Sequence, residues 1–212
     1  MEHQDGLIGA DIFDAFVVTL DFPREKVRLE PLPARPDETN PGKKSRDTEP
    51  NAETEAIAGD PVEGIVYHNR YIAPEMKEWT KMYRVGHEIL LPVTIGKTRS
   101  KLFLVDTGAS SVSISPAAAR EVAKIHADAF FDIEGLSGAV SRTFVANGFK
   151  LEFAHLAINP EAVLAYDMTS ISHEDGIEVS GFLGWPVLRF TSMHIDYRDN
   201  LIKLEYNPNA PQ

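Results

Sequence analysis

Asp106-Thr107-Gly108 carries the clearest chemistry in the sequence. It ends an apolar run, Leu102-Phe103-Leu104-Val105, and is followed by Ala109-Ser110-Ser111. The run is short, aromatic and branched, and a glycine closes it, so it reads as a buried strand. A carboxylate carried to the end of a buried strand is costly to keep ionised unless a partner or a reaction uses it. Such a group is a candidate general base. Asp and Gly also make ordinary turns, because Asp bonds its own backbone and Gly tolerates positive φ. Context favours the functional reading. An apolar run leads in, Val112-Ser113-Ile114 follows, and Phe182-Leu183-Gly184 supplies a second apolar segment ending in glycine far downstream.

Little else competes as a reactive site. His3, His68, His87, His126, His155, His173 and His194 are scattered without metal-ligand spacing, so no metal and no cofactor is expected. Asp196-Tyr197-Arg198-Asp199-Asn200 lacks the glycine and spacing of a calcium loop and reads as a structural turn. Glu174-Asp175 beside Gly176 reads as a solvated loop. Serine-nucleophile and phosphate-loop patterns are absent. A formal net charge of −11 disfavours nucleic acid or an anionic membrane surface as partner. The sequence has no cysteine, hence no disulfide and no thiolate metal site. No apolar run approaches the length of a membrane span.

The positioning elements come from a β-rich sequence with an internal repeat. Residues 6–33 overlay residues 181–208 without a gap, displaced by 175 positions. Six of 28 positions are identical, among them Gly6/Gly181, Gly9/Gly184 and Asp21/Asp196, and the apolar pattern agrees at Ile12/Val187, Leu20/Ile195 and Val27/Ile202, which favours a repeat over chance. The second copy closes a domain that holds Asp106. Residues 1–30 are therefore expected to be the C-terminal remnant of a first such domain, a helical turn and a hairpin that cannot bury a core alone. On this reading the chain is expected to be the C-terminal part of a longer tandem protein.

Residues 31–63 hold six of the 14 prolines and no aromatic residue, so a disordered acidic linker is expected there. Residues 64–83 read as a connecting strand, Gly64 to Tyr71, and a helix opened by Pro74 that carries Met76, Trp79 and Met82. Residues 84–208 read as the intact domain. Its expected parts are a strand from Val85 to Ile95, interrupted or at an edge because of Pro92, and a hairpin through Gly96 into Lys101–Val105. Then follow a helix from Ala117 to Ile125 capped by Ser115, a strand pair around Glu134–Gly138, and a tight Asn147-Gly148 hairpin with Leu151–Ile158 as return strand. A helical turn at 167–172, a strand at Ser180–Gly184, a helix at Pro186–Phe190 and a final hairpin, Thr191–Asp196 with Leu201–Tyr206, complete it. Many short strands with few helices indicate a closed β-architecture.

On these motifs residues 84–208 resemble the retropepsin-like aspartic proteases, and the duplicated ending resembles tandem bacterial aspartyl-protease-like proteins. The resemblance implies a mainly β, closed-barrel acid-protease fold with one or two short helices, preceded by a partial repeat. It implies Asp106 as the catalytic aspartate, Thr107 as the brace between paired loops, and Gly108 as the close-approach residue. Gly135-Leu136-Ser137-Gly138 matches the flap over the substrate. Ala109 and Phe182-Leu183-Gly184 match the supporting loop and the element beneath it. Such enzymes hydrolyse peptide bonds with two aspartates that share a proton, one acting on water and the other on the scissile carbonyl. The implied partners are a peptide or protein substrate and a second lobe, from a homodimer or from an upstream repeat. Ala109 offers the pair no hydroxyl, which implies activity nearer neutral pH than a serine there would give. Ser110 and Trp185 replace an acidic residue and an arginine of the retroviral members, so that ion pair is absent. Because the chain has one Asp-Thr-Gly, a catalytically silent peptide-binding or assembly module on the same fold is the alternative.

Overall fold

The computed structural model describes residues 10–36, 70–128, 134–135, 138–139 and 143–207. The protein is mainly β. A 3-10 helix, Ala10–Ala15, precedes a hairpin of β1 (Phe16–Asp21) and β2 (Lys26–Pro31). Next come β3 (Thr80–Lys81), β4 (Tyr83–Val85), β5 (Glu88–Ile95), β6 (Lys101–Val105) and β7 (Ser113–Ile114). Helix α1 (Pro116–Arg120) leads to β8 (Ile125–Asp128), β9 (Glu134–Gly135), β10 (Gly138–Ala139) and β11 (Thr143–Ala146). β12 (Leu151–Phe153), β13 (Leu156–Ile158), β14 (Val163–Tyr166) and α2 (Thr169–Asp175) follow. β15 (Gly181–Leu183), α3 (Trp185–Leu188), β16 (Thr191–Asp196) and β17 (Leu201–Tyr206) close the chain.

The large sheet runs β13-β12-β5-β6-β15-β7-β14-β11-β8, with β4 also on β5. The sheet curls as a half-barrel, and among the described residues no pairing joins β13 to β8. A second sheet has the order β2-β1-β16-β17-β3. Leu91, Ile95, Phe103, Leu183, Ile195 and Ile202 lie in one fully buried cluster between them. Burying each such side chain contributes about 1.5–3 kcal/mol.

Several local expectations are corrected. Pro92 neither interrupts β5 nor puts it at an edge. It faces Leu102 on one side, while on the other β4 pairs only up to Leu90 and β12 only from Thr94, so no strand partner lies opposite it there. The helix opened by Pro74 is one 3-10 turn, Pro74–Met76, because Thr80–Lys81 must extend to pair with β17. Helix α1 stops at Arg120, short of Ile125, because Ile125 begins β8 and faces Ala146. Asn147-Gly148 makes no hairpin. β11 pairs with β14 and β8, whereas β12 pairs with β5 and β13, and Gly148 at φ +77° lets the chain cross between them. The tight turn is instead Ala154-His155, at φ +43° and +64°, which splits the expected Leu151–Ile158 strand into β12 and β13. Both positions are left-handed, as a two-residue hairpin turn demands, and His155 Nε2 donates to the Glu78 carbonyl at 2.9 Å. Positions 37–69, with most of the expected linker and of the Gly64–Tyr71 strand, lie outside the described residues.

Candidate active-site loop

β15 threads between β6 and β7, parallel to the first and antiparallel to the second. Ser180 N–H donates to the Leu102 carbonyl at 2.8 Å, Asp106 N–H to the Leu183 carbonyl at 3.1 Å, and Trp185 N–H to the Ala109 carbonyl at 2.8 Å. Residues 106–112 are thus a loop folded over the end of a buried strand. Threading demands glycine by close approach. A Cβ on Gly181 would lie 2.2 Å from a Phe103 ring carbon and 2.5 Å from the Ser113 carbonyl oxygen.

The loop holds its own carboxylate. Asp106 is half-buried, and its Oδ1 accepts the Gly108 N–H at 2.8 Å. Ala109 N–H donates to the Asp106 carbonyl at 3.2 Å. Thr107 and Gly108 are exposed, and Leu183 beneath them is fully buried. Phe182 is buried with Leu104 and Met168 and stacks on Tyr166 at 6.4 Å between ring centroids. The structure therefore brings Asp106, Thr107, Gly108 and Ala109 together with Phe182, Leu183 and Gly184. Gly135 pairs with Gly138 in a separate two-stranded sheet, and Leu136 and Ser137 lie outside the described residues.

Several neighbours of the loop carry no sequence signal. Ser113 Oγ, 1% exposed, donates to the Tyr166 hydroxyl at 3.3 Å. Burial pushes the Tyr166 hydroxyl above its ordinary range, and the Asp106 charge adds to this. Glu88 is likewise raised, first by burial and then by Asp175, Glu174 and Asp106. Glu88 Oε2 and Asp175 Oδ2 are both shielded from solvent, and neither receives a donor from a described residue. Glu174-Asp175 is thus the end of α2, with Asp175 turned onto Glu88, rather than a solvated loop. Glu88, Tyr166 and Asp175 come from β5, β14 and α2, so only the fold brings them near the Asp106 loop.

A shallow groove of about 360 Å³ flanks the loop, lined by Ser110, Ser111, Ile158, Pro160, Leu164 and Val187 among others; Asp106 is not part of its wall. Among the described residues no group of three or more His, Asp or Glu side chains is placed to hold a metal ion, and no helix is long and apolar enough to cross a membrane.

No protein-family model matches the chain, and no curated protein matches it. Among solved structures the chain is similar to the EIAV protease complexed with the inhibitor HBY-793. The two are 19% identical, the match covers 50% of this chain and 90% of that one, and the TM-score is 0.37.

Proposed function

We propose that this chain carries half of an aspartic endopeptidase site on a retropepsin-like lobe, with Asp106 as one of two catalytic carboxylates. The observation that carries the reading is the fixing of Asp106. A backbone N–H holds one carboxylate oxygen at 2.8 Å, on a loop seated over a threaded strand, and the flanking Thr107 and Gly108 are left exposed. A general base must be positioned before its acidity matters, and this loop positions it. A second carboxylate opposite would share a proton with Asp106. The ionised group would then take a proton from water, while the protonated one hydrogen-bonds the scissile carbonyl.

The test is cleavage of an unfolded protein across pH by the chain and by Asp106→Asn, with sedimentation of both. Pepstatin-sensitive cleavage that the variant loses, with the fold kept, supports the reading. Cleavage that survives Asp106→Asn overturns it. A folded, inactive chain that still binds extended peptides favours the silent binding module.

A further inference from the structure

The second sheet contains a local two-fold axis. β1 and β16 have bounds displaced by 175 positions, and so do β2 and β17. The order β2-β1-β16-β17 is symmetric about the β1–β16 contact. In that antiparallel contact Thr19 faces His194, and these two residues are themselves 175 positions apart. The axis therefore passes between them, where Thr19 Oγ1 meets His194 Nδ1 at 2.9 Å.

Burial breaks the symmetry. Ile202 and Leu204 of β17 are 0% and 5% exposed, covered by the lobe that holds Asp106. Their equivalents on β2, Val27 and Leu29, are 66% and 44% exposed. β17 also carries β3 on its outer edge, whereas no described strand pairs with the outer edge of β2. Exposed apolar side chains clustered at a bare strand edge mark an interaction surface.

From this asymmetry we propose that β1–β2 is the closing hairpin of a second lobe of the same β-architecture, continuous with β1, which covers Val27 and Leu29. A second copy of this chain does not fit there. Its lobe is already closed by its own Ile202 and Leu204, and both edges of β16 are taken, by β1 and β17. The occupant is a lobe that lacks a closing hairpin of its own. Gly6 and Gly9 match in sequence the two glycines that threading requires, Gly181 and Gly184, directly ahead of β1. Where the proposed function holds, this lobe brings the second carboxylate across the axis from Asp106. The docking itself rests on the symmetry and burial, not on that reading.

The cysteine-free chain makes the test clean. On oxidation, Thr19→Cys/His194→Cys should close within one chain, and His194→Cys alone should stay monomeric. Covalent dimers from His194→Cys alone would mean that β16 pairs with a second copy, and would overturn the proposal. The second arm places residues 70–184 ahead of Ala10, so that β1–β2 follows the added lobe as β16–β17 follows the original. A maleimide should label Val27→Cys freely in the chain itself and roughly ten-fold or more slowly in the fusion, as expected for a site that reacts only on local opening. An added lobe that stays unfolded, or that leaves Val27→Cys equally reactive, counts against the proposal. Protection of Val27→Cys without peptide cleavage would leave the docking standing and remove the catalytic reading.

Discussion

A Cβ on Gly184 would lie 2.2 Å from the carbonyl oxygen of Ser111 and 2.7 Å from that of Ala109. Gly184 has an ordinary extended backbone, φ −94°, so the requirement is space and not conformation. Both obstructing atoms are backbone, in the loop that carries Asp106. Gly184→Ala must therefore push that loop off β15, and overpacking of this kind costs about 3 kcal/mol. Thermal melting of the variant should show a loss of that order, with any activity lost as well. A variant with unchanged melting temperature would show that the loop is not wedged on the strand.

How far the sequence could be read follows from this same contact. Asp106-Thr107-Gly108 and Phe182-Leu183-Gly184 are local patterns, and each announces a strand end that the structure contains. The final hairpin was legible because Leu201–Tyr206 alternates and Arg198-Asp199-Asn200 turns it. Asn147-Gly148 misled because turn chemistry fixes a bend and not the partner of the strand that follows it. Ala154-His155 was illegible for the converse reason, since neither residue favours positive φ and only the β12–β13 pairing with the His155–Glu78 bond holds them there. Glu88 and Tyr166 are far from Asp106 in sequence, and nothing local marks them as its neighbours.

Ser115 offers a narrower test. Its side chain accepts the Ala118 N–H at 3.2 Å, and Pro116 occupies the first helical position. Helix α1 is only five residues long, so it depends on its cap and on the burial of Ala118 and Ala119. Ser115→Ala should lower stability by about 1 kcal/mol, and Ser115→Asp should retain most of it. Urea melts of both variants decide this, and equal losses would show that the side-chain bond contributes nothing.

Asp199 ties together the two described segments that flank positions 37–69. It is 1% exposed and accepts the Arg35 guanidinium, the Tyr71 N–H at 2.8 Å and Arg198 Nε at 2.9 Å. Its own N–H donates to Asp196 Oδ1 at 2.9 Å, so the structural turn expected at Asp196–Asn200 also acts as a buried clamp. Removing one member of such a cluster strands the others, at a cost of about 3–5 kcal/mol. Asp199→Ala should show that loss in urea melts and should make the chain near Arg35 and Tyr71 easier for a protease to cut. A loss below about 1 kcal/mol, the size of an exposed pair, would place the cluster in solvent instead.

Glu88 should make the protein's stability depend on pH in a defined direction. Its folded-state pKa is raised by burial and by the negative charges of Asp175, Glu174 and Asp106. A raised pKa means that the folded state holds its proton more tightly than the unfolded chain does. The stabilisation is complete below the unfolded carboxylate range and is lost as pH rises through the folded pKa. Glu88→Gln keeps a neutral, hydrogen-bonding side chain at every pH. Its melting temperature should match the parent at about pH 4 and exceed it at about pH 8, where the parent must ionise a crowded carboxyl or hold a proton against solution. A gain of the same size at both values would trace to packing, and a loss at the higher one would show that the Glu88 charge is used rather than tolerated.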